Sequence, residues 1–69
     1  MVKAMKRRDI EVALREQGCR LLRSTGDHDV YGCTCGKHLF PLPRHKVTSP
    51  GVVRDAIRRL TCLPEGWLQ

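Results

Sequence analysis

The stretch Cys19-Arg20-Leu21-Leu22-Arg23-Ser24-Thr25-Gly26-Asp27-His28-Asp29-Val30-Tyr31-Gly32-Cys33 decides the fold of this chain. Its centre, Thr25-Gly26-Asp27, is a turn-forming triplet between two short runs of β-type residues. Residues 19–24 read as a strand in which Leu21 and Leu22 put one apolar group on each face. Residues 28–33 read as a second strand, with Val30 and Tyr31 as strong β-formers. Thr34-Cys35-Gly36 makes another turn and residues 37–42 a third strand. Pro41 and Pro43 cannot donate ladder hydrogen bonds, so this strand is expected at an edge or to end early. Connections this short between successive strands imply an antiparallel meander.

A helix flanks the meander on either side. From about residue 6 to 17, Ile10, Ala13, Leu14 and Gln17 recur at helical spacing with charges around the rest of the turn. Asp9 and Glu11 suit the positive end of the helix dipole, and Gly18 follows as a left-handed cap. Ser49-Pro50 opens the second helix, about residues 50–60, with serine as N-cap and proline at the first helical position. Val53, Ala56, Ile57 and Leu60 form its apolar side; Arg54, Arg58 and Arg59 cover the other. The tail, 61–69, is expected to fold Trp67 back on the core with Leu63 and Leu68. The expectation is a single α+β domain over residues 1–69, an α-β-β-β-α sandwich. It has a three-stranded antiparallel sheet with two helices on one face.

Thirteen Lys and Arg face seven Asp and Glu, a formal net charge of +6 on only 69 residues. That field attracts polyanions, nucleic acid foremost, although a charged surface also serves solubility. The basic stretch 1–8 is not followed by an apolar segment of signal length, and no run is long enough to span a bilayer. The reading is therefore a cytoplasmic protein without a membrane role. Its four cysteines, Cys19, Cys33, Cys35 and Cys62, are expected to be reduced.

Gly26-x-His28-x-x-Tyr31, then Pro43-Arg44-His45-Lys46, then Pro50-Gly51 and the helix carrying Arg54 and Ile57 follow one another in a particular order and spacing. In this the chain resembles the HicA toxins, the small ribonuclease half of a bacterial toxin–antitoxin pair, over most of its length. The resemblance implies a fold like the double-stranded-RNA-binding domain. It also implies mRNA cleavage as an mRNA interferase, and neutralisation by a HicB-type antitoxin that covers the active site. The family's catalytic histidine falls on His28. The residue before it, usually small and hydroxylated, is Asp27 here. A carboxylate at that position is expected to act on the chemistry in one of two ways, through the neighbouring imidazole or by repelling an incoming phosphate. The Cys33-x-Cys35 turn and the Trp67 tail are not expected of the family generally.

Metal-independent RNA cleavage needs a base near the ribose 2′-OH, an acid near the leaving 5′-oxygen and positive charge around the phosphorus. Imidazole suits either proton role. His28 is the candidate for proton transfer; its plain alternative is an exposed turn histidine. His45 lies between Arg44 and Lys46, just before the second helix. A phosphate there meets the helix dipole and cationic side chains, so these three residues and Arg54 are the candidate RNA contacts, with His45 alternatively a second proton-transfer group. The plain alternative is a solvated basic loop. Lys6, Arg7 and Arg8 make a basic run at the start of the first helix and Arg54, Arg58 and Arg59 another on the second. One of these two is expected on RNA, Arg54 the likelier contact, and the other on the antitoxin or in water. Tyr31 reads as core, and His38 as structural or exposed.

No cofactor is expected. Cys33-Thr34-Cys35-Gly36 with His38 resembles half a zinc knuckle, but Cys19 and Cys62 stand alone in other elements, where each suits a small buried side chain. No metal site is therefore expected. Two rival readings stand beside the toxin-type endoribonuclease: a non-catalytic RNA-binding module on the same fold, which Asp27 favours, and a protein-interaction module, zinc-stabilised in one version. Gly-x-Ser-x-Gly, paired-carboxylate and phosphate-loop patterns are missing from the sequence.

Overall fold

The computed structural model describes residues 2–68; Met1 and Gln69, the ends of the expected domain and tail, lie outside the described residues. The elements are β1 (Met5–Lys6), α1 (Arg7–Glu16), β2 (Arg20–Ser24), β3 (His28–Gly32), β4 (Leu39–Pro43), β5 (Val47–Thr48) and α2 (Pro50–Arg59). The α+β sandwich expected from the sequence is what forms. The meander β2-β3-β4 is an antiparallel sheet with β3 in the centre. Pro41 and Pro43 lie on β4, an edge strand, where a missing N–H interrupts no inner ladder.

One face of the sheet holds the core. Tyr31 sits opposite Phe40, and Leu42 follows Phe40 at the strand period, so all three point the same way. They pack with Ile10 and Leu14 of α1 and with Val53, Ala56 and Leu60 of the α2 region. Both helices thus cover that face. Leu63 and Trp67 pack on this cluster while Leu68 enters it, the tail arrangement anticipated from the sequence.

α1 ends as its glycine requires. Gly18 has φ +83, its N–H donates to the Arg15 carbonyl, and the Cys19 N–H reaches back to that of Leu14. This double closure is a Schellman cap, available at low cost only to a residue without a Cβ. At the other helix, the Ser49 side chain accepts from the Val52 N–H ahead of Pro50.

Four local expectations are corrected. β1 and β5 form a short antiparallel ladder, Met5 against Thr48 and Lys6 against Val47. Lys6 therefore lies in extended backbone before the helix rather than inside it. Such a ladder carries no period in so short a segment. β4 starts at Leu39, because residues 35–38 are consumed by a tight turn. A bulge between Leu21 and Arg23 breaks the regular alternation expected of β2, and Leu21 and Leu22 are both about half exposed and outside the core. Cys62 is exposed, not buried. No described helix is long and apolar enough to cross a membrane.

Candidate functional site

The hairpin turn between β2 and β3 presents His28. The Thr25 N–H and hydroxyl both donate to the His28 carbonyl, and the His28 N–H donates to the Thr25 hydroxyl oxygen. The backbone is thereby fixed while the imidazole stays exposed. His28 is paired with Pro43 across the ladder, and the Arg44 N–H donates to the Asp27 carbonyl. This brings the turn against the segment leading to α2.

The result is a cavity of about 560 Å³ lined by Gly26, Asp27, His28, Pro43, Arg44, His45, Ser49 and Val52. Of the residues singled out in the sequence, Gly26, His28, Arg44 and His45 converge here. Lys46 lines the adjoining groove of about 540 Å³ with Lys6, Arg7, Arg8, Glu11, Arg44 and Val47. Arg54 lines neither. Among the described residues, no side-chain hydrogen bond or ion pair joins Asp27 to His28. At the start of α2 the Val52 and Val53 N–H groups are committed to Ser49, and the helix dipole adds to that end's attraction for an anion.

Asp29 organises the wall of this site. Its alternation with Tyr31 sends it to the core side of the sheet, where a carboxylate needs partners. Arg7 and Arg44 supply them: Arg44 donates through Nε and Nη2 to Oδ1 at 3.2 and 2.9 Å, and Arg7 pairs with Oδ2. Arg7 also pairs with Glu11 and donates to the Pro43 carbonyl. It is a clamp between α1, β3 and β4 rather than a free RNA contact. Sequence reading passed over Asp29, although an acid on the apolar phase of a strand was the available signal.

The Arg44 hydrogen bond, with smaller contributions from Ser24 and Arg7, holds the Asp29 carboxyl below the usual carboxylate range. A depressed folded value stabilises the protein above the unfolded value and loses that effect as pH falls through the folded one. Asp29→Asn is accordingly expected to melt below wild type at pH 7. The gap should narrow as pH falls below about 4. Thermal melts of the two proteins from pH 7 down to pH 2 check this; a gap independent of pH would contradict the ionic role.

At the opposite end of the sheet, Cys33, Cys35 and His38 meet Cys62 from beyond α2. The sequence expectation of reduced cysteines differs from the structure, which joins Cys33 to Cys62 in a disulfide. Residues 29 apart are brought together only by packing α2 and its tail onto the sheet. Cys19 and Cys35 are free. Burial pushes the Cys19 thiol up, whereas the His38 side chain, followed by the Lys37 N–H, brings the Cys35 thiol down to about 7.

Compared with known proteins, the chain matches no family model, no curated protein and no solved structure.

Proposed function

We propose that this chain is a metal-independent endoribonuclease of the toxin type, acting on mRNA in the cytoplasm and held in check by a HicB-type antitoxin. The observation that carries the reading is the convergence of His28 and His45 on one cavity, with Arg44 in its wall and Lys46 in the adjoining groove. In this reading the two imidazoles lining the cavity serve as the base and the acid that cleavage needs. One takes the proton of the ribose 2′-OH as that oxygen attacks phosphorus. The other gives a proton to the departing 5′-oxygen. The products are a 2′,3′-cyclic phosphate and a 5′-hydroxyl, with no water or metal consumed in the step. Arg44, Lys46 and the net charge of +6 draw the RNA backbone in. Arg44 contributes with its charge partly offset by Asp29. Arg54, outside both grooves, is a peripheral backbone contact in this reading.

The test is incubation of a defined single-stranded RNA with the purified protein in buffer without added divalent metal. The expected outcome is fragments ending in a 2′,3′-cyclic phosphate. RNA that is bound yet left intact, with or without ribosomes, would overturn the reading in favour of a non-catalytic RNA-binding module.

A further inference from the structure

The turn after β3 and the tail after α2 build a compact donor set that the ribonuclease reading does not use. The Sγ atoms of Cys33, Cys35 and Cys62 and a ring nitrogen of His38 all lie within 4.8 Å of one another. Bound to one zinc at the usual bond lengths, thiolates stand about 3.8 Å apart. Once the Cys33–Cys62 bond is reduced those two sulfurs must therefore move apart, while no pair of the set has to close by more than roughly 1 Å. Cys33 and Cys62 have Cα atoms 7.3 Å apart, wider than the roughly 4.4–6.8 Å common for bridged pairs. Two thiolates sharing a metal accommodate that spacing.

The surroundings are already those of a ligand shell. Gly36, at φ +75, lets the chain reverse, so that its N–H donates to the Cys33 carbonyl and the Cys33 N–H to that of His38. The Lys37 N–H points at the Cys35 sulfur at 3.4 Å. His38 turns Nδ1 to that sulfur at 2.9 Å and Nε2 to the Thr61 hydroxyl at 3.4 Å. A histidine ligating through Nδ1 carries its proton on Nε2 and needs an acceptor there; Thr61 is in place.

We propose that the reduced chain binds a Zn²⁺ ion through Cys33, Cys35, His38 and Cys62, a structural site that ties the β3–β4 turn to the C-terminal tail. The disulfide is the oxidised, metal-free form of the same cluster. Opening it takes two electrons and two protons, delivered by a dithiol that leaves as its own disulfide. Zn²⁺ then displaces the protons of three thiols, and His38 ligates as neutral imidazole. A core this small gains from such a staple. The site lies one strand length, roughly 16 Å, from the His28 end of the sheet, so it neither needs nor supplies the cleavage chemistry.

The experiment is metal analysis of the full chain purified under a phosphine reductant, followed by Co²⁺ titration of the metal-stripped protein. About one zinc per chain is expected, with cobalt giving thiolate charge-transfer absorption and the intense visible bands of a tetrahedral site. Cys35→Ser and His38→Ala, both outside the disulfide, should lose stoichiometric zinc, while Cys19→Ala keeps it. Chelator should lower the Tm of the reduced wild type by at least about 5 °C. A reduced chain with free thiols that takes up neither metal would overturn the proposal. So would undiminished zinc in both Cys35→Ser and His38→Ala.

Discussion

Replacing His28 with alanine is expected to lower RNA cleavage by about 10²–10⁴-fold, the usual loss when a positioned proton-transfer group is removed. The fold should survive, because the imidazole is exposed and the interactions that shape its turn are not its own. They run from Thr25 to the His28 backbone, which alanine retains. Exposed substitutions of this kind usually change stability by less than about 0.5 kcal/mol. A folded His28→Ala protein with wild-type cleavage would remove His28 from the mechanism. Retained RNA binding alongside lost cleavage would place the effect on chemistry rather than affinity. His45→Ala supplies the comparison: as the second imidazole of the cavity it should also cost cleavage, whereas a purely electrostatic role would weaken binding and flatten its salt dependence.

The second large effect concerns the core. Phe40→Ala is expected to cost about 3–5 kcal/mol, as truncation of a fully enclosed aromatic does. Phe40 is fully buried, stands opposite Tyr31 on the central strand and belongs to the cluster both helices share. Little can move in to fill the void, because its neighbours Ile10, Leu14, Leu42 and Val53 are themselves fully buried. A domain of this size has a total stability of the same order. Urea unfolding should therefore show a chain largely unfolded without denaturant. Leu39→Ala, one residue away but about half exposed, is the control and should cost far less. Equal losses at the two positions would mean that the alternation along β4 has been assigned to the wrong faces.

Much of this architecture was legible because it depends on local chemistry. The Gly18 cap, the Ser49-Pro50 helix start and the edge placement forced by Pro41 and Pro43 each rest on what one or two residues can do with their own backbone. His28 and the Arg44-His45 segment were each legible as candidates, but their meeting at one cavity is set by the His28–Pro43 pairing in the sheet. The β1–β5 ladder was not legible, since two residues on each side carry no period. Nor was the bulge in β2 beside the half-exposed Leu21 and Leu22. Arg7 looked like a surface charge, yet Asp29, 22 residues away, captures it.

By itself, then, the sequence determined the order of helices and strands, the apolar sides of the helices apart from Ile57, which is left exposed, the antiparallel pairing and the positive field, because these follow from backbone preferences and composition. The tertiary structure alone decided which charges are clamped and which stay free for a ligand. It also decided that Cys62 completes a donor cluster with Cys33, Cys35 and His38. The reason is physical: an ion pair or a coordination shell depends on distances of a few ångströms between residues far apart in the chain, and only packing the helices onto the sheet sets those distances.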